Sequence, residues 1–413
     1  MRSVSVIGGV FNLALASLAL AGCQSRTETS YLMAWAGDSD RQDSDFLAVL
    51  DVAPNSNQYG RIIATVPVGE RSTTPHHTEH SFTPGHPLFA SGYAGNRIFR
   101  FDLSTPSQPR LLGAVPALSR LAFSHSFERL PNGHVLATMQ AKNADFDAPG
   151  GLAEFRDDGS VIRWGSAASG DVDSAALRPY SLAAVPQHDR VVTASARMGL
   201  PAWHPRSDGF EHEHTGLHIQ LWKLSDLSLL RTVSLAAPEG QDVNLSPYEP
   251  RVLEDGRTVL VATARCGLYR VRGLDADSFG ADLVYRFDGS GCAVPLRVGR
   301  YWIQGVRTTR RVVVLDVSDP GAPILVSQVQ FDERQGPHWL ALDPAGTRIV
   351  VVNNPQGETR IWMLNFDRSN GQVSFDERFR DSGSKRLGVS FDRTDWPHGK
   401  SGPAIPHGTV FVQ

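Results

Sequence analysis

The sequence predicts an all-β protein: a seven-bladed β-propeller closed by strands from both termini. Three observations predict it. The first is a recurring template, clearest from Phe123 to Met139 (FSHSFERLPNGHVLATM), where an alternating strand with a histidine near its start turns at Pro131-Asn132-Gly133 and returns as an apolar strand. Copies start near His77 (HTEHSFTPGHPLFAS), Tyr180 (YSLAAVPQHDRVVTAS), Tyr248 (YEPRVLEDGRTVLVAT), Cys292 (CAVPLRVGRYWIQ) and His338 (HWLALDPAGTRIVVV). Self-similarity at a period of roughly 45–70 residues, with turn signals inside short strands, marks a propeller rather than a sandwich. The second is the outer hairpins: LDVAPNS at Leu50, FDLSTPSQP at Phe101 and LDVSDPGAP at Leu315 each end a strand in Asp or Ser plus Pro turn chemistry. The third is that no stretch shows a helical apolar period with caps.

Met1 to residue 22 read as an export leader that is not part of the fold. Arg2 supplies a positive start, Val4 to Leu20 is apolar, and Leu20-Ala21-Gly22-Cys23 has the form of a lipobox, which places a lipid on Cys23. An ordinary secretory signal cut nearby is the other reading, and either one exports the chain. Gln24 after the cysteine fits sorting to an outer membrane. Residues 23–30 form a polar tether, and residues 31–413 form one propeller domain. No later apolar run approaches the roughly 18–20 residues of a membrane helix, so the expected membrane contact is only the lipid at Cys23, at a periplasm-facing cell envelope. A net charge of −3 over 413 residues, with no basic run, speaks against nucleic acid.

Tyr31 to Val68 supplies three strands, YLMAWAG, DFLAVLDV and GRIIATVPV, with a turn-rich APNSNQYG between the last two. A blade needs a fourth, and Pro406 to Val412 (PHGTVFV) can provide it, which removes the edges an open sheet would expose. Six template copies and this shared blade make seven.

The first residue of each inner strand sits near one mouth of the channel. That mouth is predicted to collect His77, His125, His338 and His407, with Tyr180, Tyr248 and Cys292, and with His76 and His80 beside them. Histidine is 14 of 413 residues, so four of seven equivalent positions is not random scatter. Converging neutral imidazoles suit Cu, Zn, Fe or Ni, and the lack of carboxylates at these positions argues against Ca or Mg. The alternative is that a wet mouth tolerates any polar residue and these histidines bond only water. Two insertions are lid candidates at the same mouth: 198–216, with His204, His212 and His214, and 384–405, with Trp396 and His398. The first reads equally as a disordered polar excursion. Cys266 and Cys292 remain after Cys23, and an oxidising compartment favours a disulfide over a thiolate ligand. No GxSxG elbow, P-loop or dinucleotide fingerprint is present.

DFLAVLDVAPNSNQYGRIIATVPV followed by PHHTEH resembles the selenium-binding protein family, whose bacterial members include methanethiol oxidases. The resemblance continues in AFSHSF, in GLHIQLW around His218, in LDVSDPGAP and in GPAIPHG, in the same order along nearly the whole mature chain. It implies a propeller, and copper held by histidines that oxidises methanethiol with O2 to formaldehyde, hydrogen sulfide and hydrogen peroxide. The family's paired histidines fall on His76 and His77, a third on His125 and the closing one on His407; His338 rests on the repeat alone. The family's cysteine after QY is Gly60 here, so selenium attachment there is not expected. An aromatic residue is replaced by His80, a second histidine by Glu128, and a closing acidic residue by Gly408.

The expectation is therefore a lipid-anchored propeller whose His76, His77, His125, His338 and His407 hold copper, or another transition metal, and which oxidises a small thiol. Tyr180 and Tyr248 would donate hydrogen bonds to oxygen species or simply pack. The rival is a non-catalytic propeller that holds metal or a partner at the envelope; saturated coordination would favour it, since catalysis needs a vacant site. Lactonases and quinoprotein dehydrogenases need acidic metal ligands or a cofactor-binding set, and neither occurs at the repeat positions.

Overall fold

The computed structural model describes residues 1, 30–207, 215–237, 245–353 and 357–413. The leader, Cys23 and most of the tether lie outside these residues, as do His212 and His214. Within them, seven antiparallel sheets form a ring, each built outward from the channel in chain order. The inner strands are Pro75–Thr78 in blade 1, Ala122–Arg129 in blade 2, Pro179–Val185 in blade 3, Pro247–Val252 in blade 4, Leu296–Val298 in blade 5, Pro337–Leu342 in blade 6 and Ala404–Val412 in blade 7. The all-β, seven-bladed expectation is borne out. Among the described residues the only helical pieces are two 3₁₀ turns, Ser174–Ala176 and Pro186–His188, and no helix is long and apolar enough to cross a membrane.

Closure follows the predicted route. Ala404–Val412 pairs antiparallel with Tyr31–Asp38, from Tyr31 opposite Val412 to Asp38 opposite Ala404, and Phe46–Asp51 and Ile62–Pro67 complete blade 7. Side chains along a strand alternate between faces, and here both faces are buried. From Tyr31–Asp38, Leu32, Ala34 and Ala36 pack on blade 6 beside Trp339, Val350 and Met363, while Met33 and Trp35 pack on blade 1 beside Leu88, Phe99 and Phe101. This is why middle strands such as VLATM and RVVVL read as continuous apolar runs. The core is a set of wedges between neighbouring blades. The interface of blades 4 and 5 also carries the Cys266–Cys292 disulfide, which closes a loop of 26 residues; on the chain-entropy account this stabilises the fold by about 3–4 kcal/mol.

One irregularity recurs and sets up the channel. In every blade but blade 5, the register slips where the inner strand meets its neighbour near the entry mouth: between Pro75 and Thr78, Ser124 and Phe127, Pro179 and Ser181, Pro247 and Glu249, Pro337 and Trp339, and opposite Ala34 to Ala36 in blade 7. A bulge places extra residues against one partner and re-aims their side chains. The bulged residues are His76 and His77, His125 and Ser126, Tyr180, Tyr248, His338, and His407 with Gly408.

A chain ending at Pro403 lacks the inner strand of blade 7 and leaves the Tyr31–Asp38 edge unpaired. It should lose the single sharp unfolding transition of the whole protein in thermal circular dichroism; an equally sharp melt would mean that closure is dispensable.

Candidate metal centre at the upper mouth

Consecutive strand residues normally face opposite ways, yet the blade 1 bulge turns both His76 and His77 into the channel. Their rings stack with centroids 4.6 Å apart and planes within 7°. His407, from the closing strand, stacks on His76 at 4.1 Å, and His125 lies 4.5 Å from His76 and 4.3 Å from His77. One ligand atom from each of His76, His77 and His407 lies within 4.8 Å of the others, and all three residues are buried. His338 reaches the group from blade 6, with Nε2 3.1 Å from His407 Nε2, and is half-buried. The aromatic arc continues from His125 to Tyr180 at 3.8 Å and from Tyr180 to Tyr248, stacked at 4.4 Å. All seven predicted mouth side chains except Cys292 meet here; Cys292 is buried in its disulfide.

Hydrogen bonds fix which ring atoms face inward. Ser126 Oγ sits 2.8 Å from His77 Nδ1 and 3.3 Å from His125 Nδ1. His77 Nε2 then remains buried with no hydrogen bond, as does His407 Nδ1 on the ring whose Nε2 meets His338. A buried polar atom without a partner costs about 1–3 kcal/mol, and a bound cation would satisfy both. Burial holds the His77 and His407 imidazoles well below their usual range, reinforced for His77 by His125 and His76 and for His407 by His76 and His338. Both are therefore neutral, which is the metal-binding form. Burial also pushes the Tyr180 and Tyr248 phenols far up, so they stay protonated donors. The donor set fits a transition metal, with Ser126 as the outer group that orients a ligand ring.

A polar layer lies below. His80 stacks on Trp339 at 4.8 Å, and Trp339 also packs on His77 and donates from Nε1 to Thr409 O. His80 Nε2 is 3.3 Å from Arg251 Nη2 and 4.0 Å from Glu249 Oε2. Glu249 is fully buried, accepts from Ser181 Oγ at 2.7 Å and Arg251 Nη1 at 2.8 Å, and is raised by burial. Glu128 accepts from Ala184 N and is pushed up to about 7 by burial. The repeat had pointed to none of Ser126, Tyr93, Trp339, Glu249 or Arg251. A signal was present: proline directly precedes the bulge in Pro75-His76, Pro179-Tyr180, Pro247-Tyr248, Pro337-His338 and Pro406-His407. Proline has no N–H to give to a ladder and is confined to edges and bulges.

The two insertions part company. Residues 198–207 lie over the histidine side of the mouth: Met198 O accepts from Tyr93 Oη at 2.6 Å, Leu200 packs with Tyr93 and Phe123, and Trp203 meets Arg41 on the upper turn of blade 7 at 5.2 Å. Tyr93 in turn touches His76 and His125. The second insertion is not a lid. His398 Nδ1 bonds Thr65 Oγ1 on the outer strand of blade 7 at 2.7 Å, and Trp396 packs on Phe46 at 4.7 Å, because this segment seals apolar surface beside blades 6 and 7. His218 lies two strands out from the channel in blade 3.

A stretch of 143 residues is 32% identical to the methanethiol oxidase of a Hyphomicrobium species, covering 33% of this chain and 32% of that protein. Another of 132 residues is 31% identical to the methanethiol oxidase of Ruegeria pomeroyi, covering 30% and 29%. The chain thus matches about a third of the length of these curated relatives. A hypothetical selenium-binding protein from Sulfolobus tokodaii shares the fold, with a TM-score of 0.70 at 16% identity over 94% of both chains. The chain is similar to the selenium-binding protein and methanethiol oxidase family. No family model matches it. The periplasmic gluconolactonase of Pseudomonas aeruginosa also shares the fold, with a TM-score of 0.58 at 15% identity over 93% of this chain and 99% of that one.

Two outcomes follow from the buried ring atoms. Ser126→Ala strands His77 Nδ1 and should lower the stability of metal-free protein by about 1–3 kcal/mol in urea unfolding. It should also weaken metal binding about 10–100-fold in chelator competition. For pH, His77 has a folded pKa below its unfolded value. The unfolded chain therefore takes up the extra proton as pH falls below about 6.5, and stability drops by up to about 1.4 kcal/mol per pH unit until the folded pKa is reached. Glu128, with its folded pKa raised, acts with the opposite sign between its unfolded value and about 7. The diagnostic quantity is therefore the difference between wild type and His77→Gln, whose stability should fall less steeply from pH 6.5 to 5; equal slopes would contradict a buried neutral His77.

Proposed function

We propose that this protein is an exported, lipid-anchored oxidase of small thiols that works with copper at the upper mouth and takes methanethiol or a thiol close to it in size. The observation that carries the reading is the convergence of His76, His77 and His407 beside His125, with His77 Nε2 and His407 Nδ1 buried and unbonded, in a chain similar to methanethiol oxidases. A copper ion there supplies a soft centre for a thiolate and exchanges electrons singly with O2. The reaction balances with one molecule of each species: methanethiol, O2 and water give formaldehyde, hydrogen sulfide and hydrogen peroxide.

The chain's own residues do the rest. His77 and His407 present their free nitrogens, Ser126 fixes the orientation of the His77 ring through its Nδ1, and His76 and His125 complete the imidazole group. The protonated Tyr180 phenol stands against His125, where it can donate to an oxygen species. Trp339 and Tyr93 wall the site with apolar surface that admits a methyl group, and residues 198–207 exclude water from the histidine side. Export rests on the leader, and anchoring rests on the lipobox at Cys23.

The test is metal content and thiol-dependent O2 consumption of the mature chain expressed without its first 23 residues, beside His77→Ala/His125→Ala. Near-stoichiometric copper in the wild type, absent from the folded variant, with sulfide release reduced more than about 100-fold, is the expected result. Stoichiometric copper with neither O2 uptake nor sulfide would point instead to a non-catalytic metal-holding propeller. No copper in either protein after loading would sink the site itself.

A further inference from the structure

The face opposite the histidines carries a second feature. Inner strands run from the upper mouth downward, so the turns that follow them, and those between third and fourth strands, lie on the lower face. Between the lower turns of blades 3 and 4 is a cleft of about 780 Å³ lined by His188, Arg190, Arg257, Arg270 and Arg272. The acidic residues in its wall are already engaged. Asp282 pairs with Arg272 at 2.8 Å, and the Asp275 carboxylate accepts from Ser278 N and Oγ within its own turn. Among the described residues, no carboxylate stands within ion-pair distance of Arg190, Arg257 or Arg270. Asp255 lies near enough to Arg257 to feel its charge, and Asp319 flanks Arg270 at Gly321, yet in a chain of net charge −3, three guanidiniums without an ion pair around one cleft are a local excess of positive charge.

One of these side chains is held by hydrogen bonds, and a second is packed against a glycine. Arg190 donates from Nε to Leu274 O at 2.8 Å and from Nη1 to Asp189 O at 3.0 Å. Arg270 packs against Gly321 of the blade 5 turn, where a Cβ would stand 3.0 Å from its Nη1 and 3.2 Å from Asp319 Oδ1, so the glycine leaves room for the guanidinium. Fixed guanidinium forks match the paired oxygens of a phosphate, and gathering like charges is relieved when an anion sits among them. The volume exceeds a bare phosphate and falls in the range of small-molecule clefts, about 300–1,000 Å³.

We propose that this lower cleft is an oxyanion site that takes the phosphate group of a larger molecule. A lipid headgroup and a soluble phosphoester present the same chemistry, and one fact favours the headgroup. Ser30 and Tyr31 also sit on the lower face, because Tyr31 pairs with Val412 at the bottom of the closing strand. The tether back to Cys23 spans at most about 25 Å, so a lipid at Cys23 would hold this face against a membrane, with the histidine mouth turned away.

The test uses the chain lacking residues 1–23, with Arg257→Ala/Arg270→Ala alongside; Arg257 is exposed and Arg270 half-buried, and an unchanged melting temperature and copper content would verify the fold. Glycerol 1-phosphate is titrated by calorimetry, and vesicles of phosphatidylcholine with or without phosphatidylglycerol are co-sedimented. Expected is salt-sensitive binding that weakens at least tenfold in the variant. Binding to phosphatidylglycerol vesicles supports the headgroup, and binding to glycerol phosphate alone supports a soluble phosphoester at the same site. Binding to neither, or binding that the variant leaves unchanged, overturns the proposal. Thiol oxidation should be the same in both proteins, so a failed oxidase and a failed oxyanion site are read separately.

Discussion

Everything at the upper mouth depends on the antiparallel pairing of Ala404–Val412 with Tyr31–Asp38. This pairing closes the ring, and it also carries His407 to within 4.1 Å of His76. The trio able to hold a metal is therefore drawn from the first inner strand in the sequence and the last, and it exists only when the ring is shut. Trp339 adds a cross-link, bonding Thr409 of the closing strand while packing on His77. A ligand that binds only the closed ring stabilises it by mass action, so an ion at the mouth and the closure of the fold reinforce each other.

The number of blades was legible because strand and turn chemistry repeats and because three strands at one end of the chain and one at the other add up to a blade. The histidine positions were legible through the repeat, since equivalent positions of a propeller converge. The depth of the site was not legible. A period-two reading allows one of two consecutive residues into the channel, so it admits His125 and leaves Ser126 outside. The bulge breaks that rule, and with it the two groups that orient each other, His77 Nδ1 and Ser126 Oγ, come to 2.8 Å. The prolines that precede five of the bulges state the irregularity locally, but only their recurrence across blades distinguishes them from ordinary turn prolines. The second insertion misled for a related reason: Trp396 and His398 have the composition of a binding loop, and only the tertiary position of Phe46 and Thr65 shows that they seal the flank of blade 7.

The channel separates two electrostatic regimes a few ångströms apart. At the mouth, crowding and burial keep imidazoles neutral, so that nitrogen lone pairs rather than charges face one another. One layer below, the Glu249 carboxyl is buried against a guanidinium, and it is tolerated there because it accepts from both Arg251 and Ser181. Removing one member of such a pair leaves an unpaired buried charge, which costs several kcal/mol. His80 touches both regimes, stacking on Trp339 above and approaching Arg251 below.

The departures from the family pattern divide along the same axis. Gly60 lies on a lower turn with φ +81°, where a residue with a Cβ is strained, and its N–H bonds Asp51 O. A cysteine there would be unfavourable and would sit at the far end of the molecule from the imidazoles. Glu128 and His80 instead line the channel under the mouth. Changes at Glu128 and His80 alter the channel beneath the imidazoles without replacing any of the ring nitrogens above, so the two layers are free to vary separately. That separation is what a propeller provides: each blade contributes one or two side chains to each layer, and one layer can be rewritten while the ring that holds the other stays closed.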